Sequence, residues 1–102
     1  MELLRASAFW RDLKGIIDYF DNVHAQDVAL RLLDALDETI DFIEEFPDLG
    51  SPWESSKPRR PGLRFRLIKG FENYMVLYRR DDDRVLILRV LHCSQDIEEL
   101  LG

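Results

Sequence analysis

The stretch "GLRFRLIKGFENYMVLYRRDDDRVLILRVLH", residues 62–92, decides the fold. Leu63, Phe65 and Leu67 alternate with Arg64 and Arg66, the two-residue period of a strand with one apolar and one charged face. Gly70 interrupts that run. "NYMVLYRR" and "RVLILRVLH" follow as longer strands, and their more continuous hydrophobicity predicts cover on much of both sheet faces. Asp81, Asp82 and Asp83 join them in a hairpin turn, because Asp tolerates turn geometry and hydrogen-bonds its own backbone. Arg89 is the exception, a charge inside the most apolar strand.

Upstream, a short strand at Glu2 to Arg5 precedes Ser7, which can cap a helix with apolar positions Phe9, Leu13, Ile16, Ile17 and Phe20 at spacings of three and four. Trp10 lies at the border of that stripe, the place of a half-buried structural tryptophan. The pattern pauses at "DNVHAQ", then resumes through Val28, Ala29, Leu32, Leu33, Leu36, Ile40 and Ile43 until Pro47 forbids continuation. So short a connection predicts an antiparallel helical hairpin. Asp34, Asp37, Glu38, Asp41, Glu44 and Glu45 fall mostly away from the apolar stripe, as a solvated face does. All four prolines, Pro47, Pro52, Pro58 and Pro61, lie in "PDLGSPWESSKPRRPG". This loop is read as a crossover from helices to sheet, with Trp53 as packing anchor, in preference to a binding loop. After the last strand, Ser94 can cap a short helix, "QDIEELL", with Ile97, Leu100 and Leu101 available to the core. The expected class is α+β: an N-terminal strand, an antiparallel helical hairpin packed on a mainly antiparallel sheet of three to four strands, and a short C-terminal helix.

A chain of 102 residues predicts one domain over residues 1–102. Hydrophobic residues at 46% and charged ones at 33% describe a globular chain and exclude wholesale disorder. No apolar run approaches membrane-spanning length, and "MELLRASAFWRDLK" lacks a signal peptide's apolar core, so the expected location is cytoplasmic, away from membranes. Cys93 is the only cysteine and permits no internal disulfide. The net charge of −6 counts against nucleic acid as a partner, but its distribution is lopsided. Residues 57–92 carry ten of the 14 basic side chains, Lys57, Arg59 and Arg60 among them, against four acidic ones, a local charge of +6 beside −12 for the remainder. One basic surface on an acidic body meets an anionic partner at short range that the whole molecule repels at long range. Arg and Lys on a strand face also serve solubility and edge protection, which needs no partner.

No phosphate loop, metal-ligand cluster or nucleophile elbow is present, so no metal, cofactor or catalytic set is expected. His92 and Cys93 adjoin, but neighbours in a strand point to opposite faces, which argues for a structural pair. His24 falls in the turn between helices, and Tyr74 and Tyr78 share a strand face where packing is the ordinary role. The strongest functional cue is Arg64, Arg66 and Arg89, with Lys69 and Arg79. If the first and third of these strands place their arginines on one face, they form a cluster for phosphates, carboxylates or a partner's acidic segment. The competing reading is that Arg64 and Arg89 pair with carboxylates and order the sheet.

"SAFWRDLKGIIDYF", "ALRLLDALDETIDFIEEFPDLG" and "LRFRLIKGFENYMVLYRRDDDRVLILRVLHCSQDIEELL", taken in that order, resemble the ParE/RelE superfamily of small toxins from bacterial type II toxin–antitoxin modules, over nearly the whole chain. Leu63-Arg64, Tyr78-Arg79 and "ILRVLH..QD" resemble the ParE branch, the plasmid stabilisation proteins. The RelE branch consists of ribosome-dependent mRNA endonucleases, and Arg66 matches one basic position of its pattern. Met75 stands where that branch has an arginine, Gln95 falls where another is expected, and "EELLG" offers no terminal tyrosine. The resemblance therefore implies a ParE-like toxin that inhibits DNA gyrase and replication by binding and is neutralised by a cognate ParD-like antitoxin, in a heterodimer or heterotetramer. Its alternatives are a RelE-type mRNA interferase and a non-toxic antitoxin-binding relative. It further implies that Arg64, Arg66, Lys69, Arg79 and Arg89 form a basic face for target or antitoxin, and that Trp10 and Ile17 belong to an antitoxin-contacting helix surface.

Overall fold

The computed structural model describes residues 2–54 and 62–101. Lys57, Pro58, Arg59, Arg60 and Pro61, counted above in the basic segment and the crossover, lie outside the described residues. Strand β1 (Glu2–Arg5) leads into helices α1 (Ser7–Asn22) and α2 (Gln26–Glu45), a 3-10 turn at Pro47–Leu49 and a two-residue strand β2 (Ser51–Pro52). Strands β3 (Leu63–Ile68), β4 (Phe71–Asp81) and β5 (Arg84–His92) follow, then helix α3 (Ile97–Leu100). The sheet order is β1-β5-β4-β3-β2, with β1 parallel to β5 and every other pair antiparallel. The expected class and element order are found; β2 adds a fifth strand at the edge, where Pro52 removes no central ladder bond. Among the described residues, no helix is long and apolar enough to cross a membrane.

The near-continuous apolar character of β4 follows from cover on both faces. Val76 and Tyr78 point into the cluster beneath the helical hairpin with Phe9, Leu36, Ile40 and Ile87. Met75 and Leu77, one position out of phase, join Leu63, Leu91, Ile97 and Leu101 under α3. Helix α1 lies over β5 while α2 lies over β3 and β4. His24 makes the reversal between the helices with φ of 57°, so the connection that interrupts the periodicity is a tight turn.

Two expected caps are replaced. Ala6 is the N-cap of α1 and Ser7 its first helical residue, without a side-chain capping bond. At the other end Asp96, and not Ser94, caps α3, accepting from the Glu99 backbone N–H; α3 begins at Ile97, so Gln95 stays outside it. The crossover is tied down by one buried tyrosine. The Tyr78 hydroxyl donates to the Pro47 carbonyl at 2.7 Å and accepts from the Gly50 N–H at 3.0 Å. A Cβ on Gly50 would stand 2.1 Å from that hydroxyl oxygen, so only glycine lets the chain pass there. Trp53 fulfils its expected role as an anchor, edge-on to Phe65 and donating from Nε1 to Glu98 of α3.

The third tie is ionic. Arg89 meets Asp12 of α1 through two parallel bonds, Nε to Oδ2 at 2.7 Å and Nη2 to Oδ1 at 2.8 Å, and both side chains are largely buried, 18% and 12% exposed. The same carboxylate accepts from the Val90 N–H, and Arg89 Nη1 donates to the Leu100 carbonyl of α3. The register shift between Leu77 and Tyr78, which leaves Leu88 unpaired opposite them, lies beside this residue. One arginine thus connects both layers across the sheet. Removing either partner strands a shielded charge: Arg89→Ala and Asp12→Ala should each lower unfolding free energy by about 3 kcal/mol. The double variant should lose about 2 kcal/mol less than their sum. Urea titration of the four proteins of the cycle checks this, and strict additivity would refute the coupling.

Gly15 is unlike Gly50. It sits inside α1, its φ is not in the left-handed region, and a Cβ there meets nothing within 4 Å. Gly15→Ala is expected to stabilise the chain by about 0.5–1 kcal/mol through helix propensity, seen as a raised urea midpoint at unchanged m-value.

Candidate functional site

The register settles which arginines can act together. Arg64 pairs with Tyr78 and Arg66 with Val76, so both lie on the helix-covered side of the sheet. Arg79 pairs with Leu63 and Leu86, and Arg89 with Leu77, positions of the α3-covered side. The condition for a single five-member cluster is not met: Arg64, Arg66 and Lys69 are brought to one edge, while Arg79 and Arg89 are not. Arg89 is engaged by Asp12, and Arg64 donates to the Gly50 carbonyl at 2.8 Å rather than to a carboxylate.

Arg66 is held differently. Its Cζ stands 3.7 Å from the centroid of the Phe42 ring of α2, a cation–π contact that fixes the head group without neutralising it. Among the described residues, no carboxylate lies within ion-pair distance of Arg66, Lys69 or Arg79. Arg66 and Lys69 border a cavity of about 190 Å³ floored by Ala35, Thr39 and Phe42, with Glu38 at its rim. The Thr39 hydroxyl is satisfied within its own helix by the Ala35 carbonyl. Arg66 and Leu67 also border a second hollow with Leu49 and Ser51, and Leu49 borders a third with Phe46 and Arg80. The first two share Arg66 and Leu67 and the last two share Leu49, so the three concavities neighbour one another around the β3 edge and are taken together as its groove. Its exposed apolar lining is concentrated in Phe46 (43%), Leu49 (63%) and Leu67 (41%). Among the described residues, Arg80 is the one groove cation paired with a carboxylate, Asp48, at 2.6 Å. The apolar part of this groove was not readable from the sequence: Phe42 sits in α2's half-buried border, and Phe46 and Leu49 belong to the helix end and the 3-10 turn. The signal that could point there is the pair Phe46 and Leu49, two large apolar residues flanking Pro47 and exposed where the helix has just ended.

The helix surface expected from the sequence is a separate patch. Trp10 is 55% exposed, rests edge-on against Phe9 at 5.1 Å, and has the Arg5 guanidinium 6.0 Å above its ring. Leu4 of β1 is exposed, while Ile17 is half-buried.

His92 and Cys93 do not form a catalytic pair. The His92 ring lies edge-on to Tyr74 and its Nδ1 accepts from the Ser94 N–H at 3.0 Å, whereas the Cys93 thiol approaches the Glu72 carbonyl at 3.7 Å. Met75 is 4% exposed in the apolar cluster beneath α3.

The chain matches the family model of the ParE toxin of type II toxin–antitoxin systems, parDE, over residues 4–97. Its fold is shared with a solved structure of the chromosomal ParDE toxin–antitoxin system from P. aeruginosa, at 20% identity and a TM-score of 0.73, covering 90% of this chain and 95% of that one. A YoeB/ParE toxin from Agrobacterium tumefaciens is similar at 18% identity and a TM-score of 0.59, covering 90% and 98%. None of the curated proteins compared is similar to it in sequence.

Burial pushes the Cys93 thiol above its ordinary pKa. The thiolate fraction at pH 7 is therefore below that of a free cysteine and grows as pH rises through the shifted value. Alkylation of the native protein by iodoacetamide should be slower at pH 7 than that of a small thiol and should keep rising at pH values where the small thiol has levelled off. Equal rates, or a plateau at lower pH, would contradict this.

Proposed function

The chain belongs to the ParE toxin family of type II toxin–antitoxin systems, and on that premise we propose that it arrests replication by binding DNA gyrase and is neutralised by a cognate ParD-like antitoxin. The antitoxin lays an acidic amphipathic segment into the groove around the β3 edge. The observation that carries this reading is the pairing of Arg66 and Lys69, two cations without an ion-paired carboxylate among the described residues, with the exposed apolar side chains of Leu49 and Leu67 in neighbouring hollows. A segment with acidic residues on one side and aliphatic ones on the other satisfies both at once. Arg64 backs these hollows from the Gly50 carbonyl, and the Trp10 patch with Ile17 offers the antitoxin a second contact on α1. Arg79 and Arg89, on the other side of the sheet, serve the target or the fold. The toxin acts as a single domain in the cytoplasm, and the complex with antitoxin is a heterodimer or heterotetramer.

Action by binding is supported by the α3 face. An mRNA interferase needs cations around a developing pentavalent phosphate. Here the equivalent strand position is Met75, packed with Leu77, Leu91 and Leu101, and an arginine would have to displace that core. Gln95 is likewise engaged, its Oε1 accepting from the His92 N–H at 2.7 Å.

Pulsed expression in a bacterial host, with labelled thymidine and methionine followed separately, tests the target. Incorporation of thymidine should fall first, and purified toxin should inhibit gyrase supercoiling. Earlier loss of protein synthesis with cleavage of translated messages would replace this reading by the interferase, and harmless expression with tight antitoxin binding by the non-toxic relative. For the groove, R66E combined with K69E should weaken antitoxin binding by at least about tenfold at physiological salt and by less at 1 M salt. Unchanged affinity in calorimetry, with the fold intact by circular dichroism, would remove the groove from the interface.

A further inference from the structure

A second concavity lies on the hairpin side of the sheet, between α1 and the end of β5. It has a volume of about 330 Å³, within the range of small-ligand sites. One wall is apolar and aromatic, made by Ile16, Tyr19 and Tyr74, and Gly15 leaves the α1 side of it flat. Neither backbone conformation nor packing explains that glycine, since a Cβ there meets only open space and the helix loses stability by its presence.

The polar groups that line this pocket are left with donors to spare. The Asp12 carboxylate is its one acidic group, and Arg89 and the Val90 N–H already occupy both its oxygens. Because His92 Nδ1 accepts from the Ser94 N–H, with the Ser94 hydroxyl 2.6 Å away on the same nitrogen, the neutral imidazole carries its proton on Nε2. Among the described residues, Nε2 has no partner. Gln95 spends its carbonyl oxygen on the His92 N–H and keeps its NH₂. Arg11 has no carboxylate within ion-pair distance among the described residues. Burial first, and the nearby Tyr19 second, hold the Tyr74 phenol above its usual pKa, so it too remains an O–H donor at neutral pH. A pocket with a guanidinium, an imidazole N–H, an amide and a phenol, and with its carboxylate already spent, matches a ligand rich in acceptors and negative charge. The aromatic wall matches a flat ring attached to that anion.

We propose that the pocket between α1 and the end of β5 binds a nucleoside monophosphate, with the phosphate taken by Arg11, His92 and Gln95 and the base lying against Tyr19 and Tyr74. This follows from the donors and the aromatic wall and is independent of the groove at the β3 edge, whose cations Arg66 and Lys69 belong to β3 and the turn after it. It adds a small-ligand site to a toxin whose other contacts are with proteins.

The experiment is a titration of the full chain, ¹⁵N-labelled, with adenosine 5′-monophosphate, adenosine, inorganic phosphate and benzoate in parallel. The monophosphate should shift resonances of residues 11–19, 74 and 90–95, with affinity at least tenfold above that of adenosine or phosphate. His92→Ala and Arg11→Ala should each weaken it about tenfold. Gly15→Leu should abolish it, with Gly15→Ala as the folded control for the same helix position, and R66E should leave it unchanged. Phosphate binding as tightly as the nucleotide, benzoate competing equally, shifts lying elsewhere, or affinity indifferent to His92, Arg11 and Gly15 would each overturn the assignment.

Discussion

The Arg89–Asp12 pair is the interaction on which the arrangement of layers depends. A charged residue in the most apolar strand needs a partner, and the partner comes from α1, 77 residues earlier in the chain. Because the contact is two-pronged, it fixes the rotation of α1 as well as its distance from β5. Nη1 of Arg89 reaches the Leu100 carbonyl at the end of α3, so the small helix on the opposite face is registered against the same residue. The rest of the hydrophobic packing can then be generic, since apolar contacts are non-directional and leave sliding and rotation to be settled by something directional. Tyr78 plays the corresponding part for the crossover, and together the two residues tie α1, α3 and the Pro47–Gly50 segment to the two central strands.

The same pair also decides what the surface can do. It neutralises the one carboxylate that faces the cavity between α1 and β5, and it removes Arg89 from the set of available cations. Arg64 is likewise consumed, by a backbone carbonyl that the Pro-rich crossover could not satisfy within a helix or strand. What remains available at the β3 edge is Arg66, held over an aromatic ring, and Lys69 in the turn. A guanidinium on a ring face keeps its charge and its outward donors, which a salt bridge would not have left.

How much of this is legible in sequence differs by level. The strands, the hairpin and the order of elements follow from local periodicity, and the family resemblance rests on that same order. The doubled hydrophobicity of "NYMVLYRR" correctly indicates cover on both faces, because alternation fails only when both sets of side chains are buried. The arginine cluster was not legible, because a strand's own period says which of its residues share a face but not how its faces align with a neighbour's. That alignment turns on the register shift between Leu77 and Tyr78, a single inserted residue with no sequence signature of its own. The caps failed for a similar reason. Ser7 and Ser94 have the right chemistry, but each lies one or two residues from the place where the backbone turns, and Ser94 is drawn off to His92. The groove is not legible because its apolar residues come from three elements, and the only one in a periodic stripe, Leu67, reads there as part of an apolar strand face.

An acidic protein with a basic groove is not a contradiction once distances are compared. Beyond a Debye length of about 8 Å at physiological salt, a partner senses little of any individual charge. At contact it meets Arg66 and Lys69 beside apolar surface, with Glu38 at the rim of the same hollow and Glu45 and Asp48 lining the hollow beyond Leu49. The net charge of −6 therefore sets a modest barrier to approach for an acidic segment, and the groove supplies the attraction only once docking is nearly complete. Such an arrangement favours partners that can bury aliphatic side chains in the same step, because the short-range apolar term must accompany the ionic one. A polyanion without apolar groups meets the barrier and gains only half of what the groove offers. On the reading proposed for the groove, selection of amphipathic anionic partners over nucleic acid backbone comes from geometry rather than from total charge.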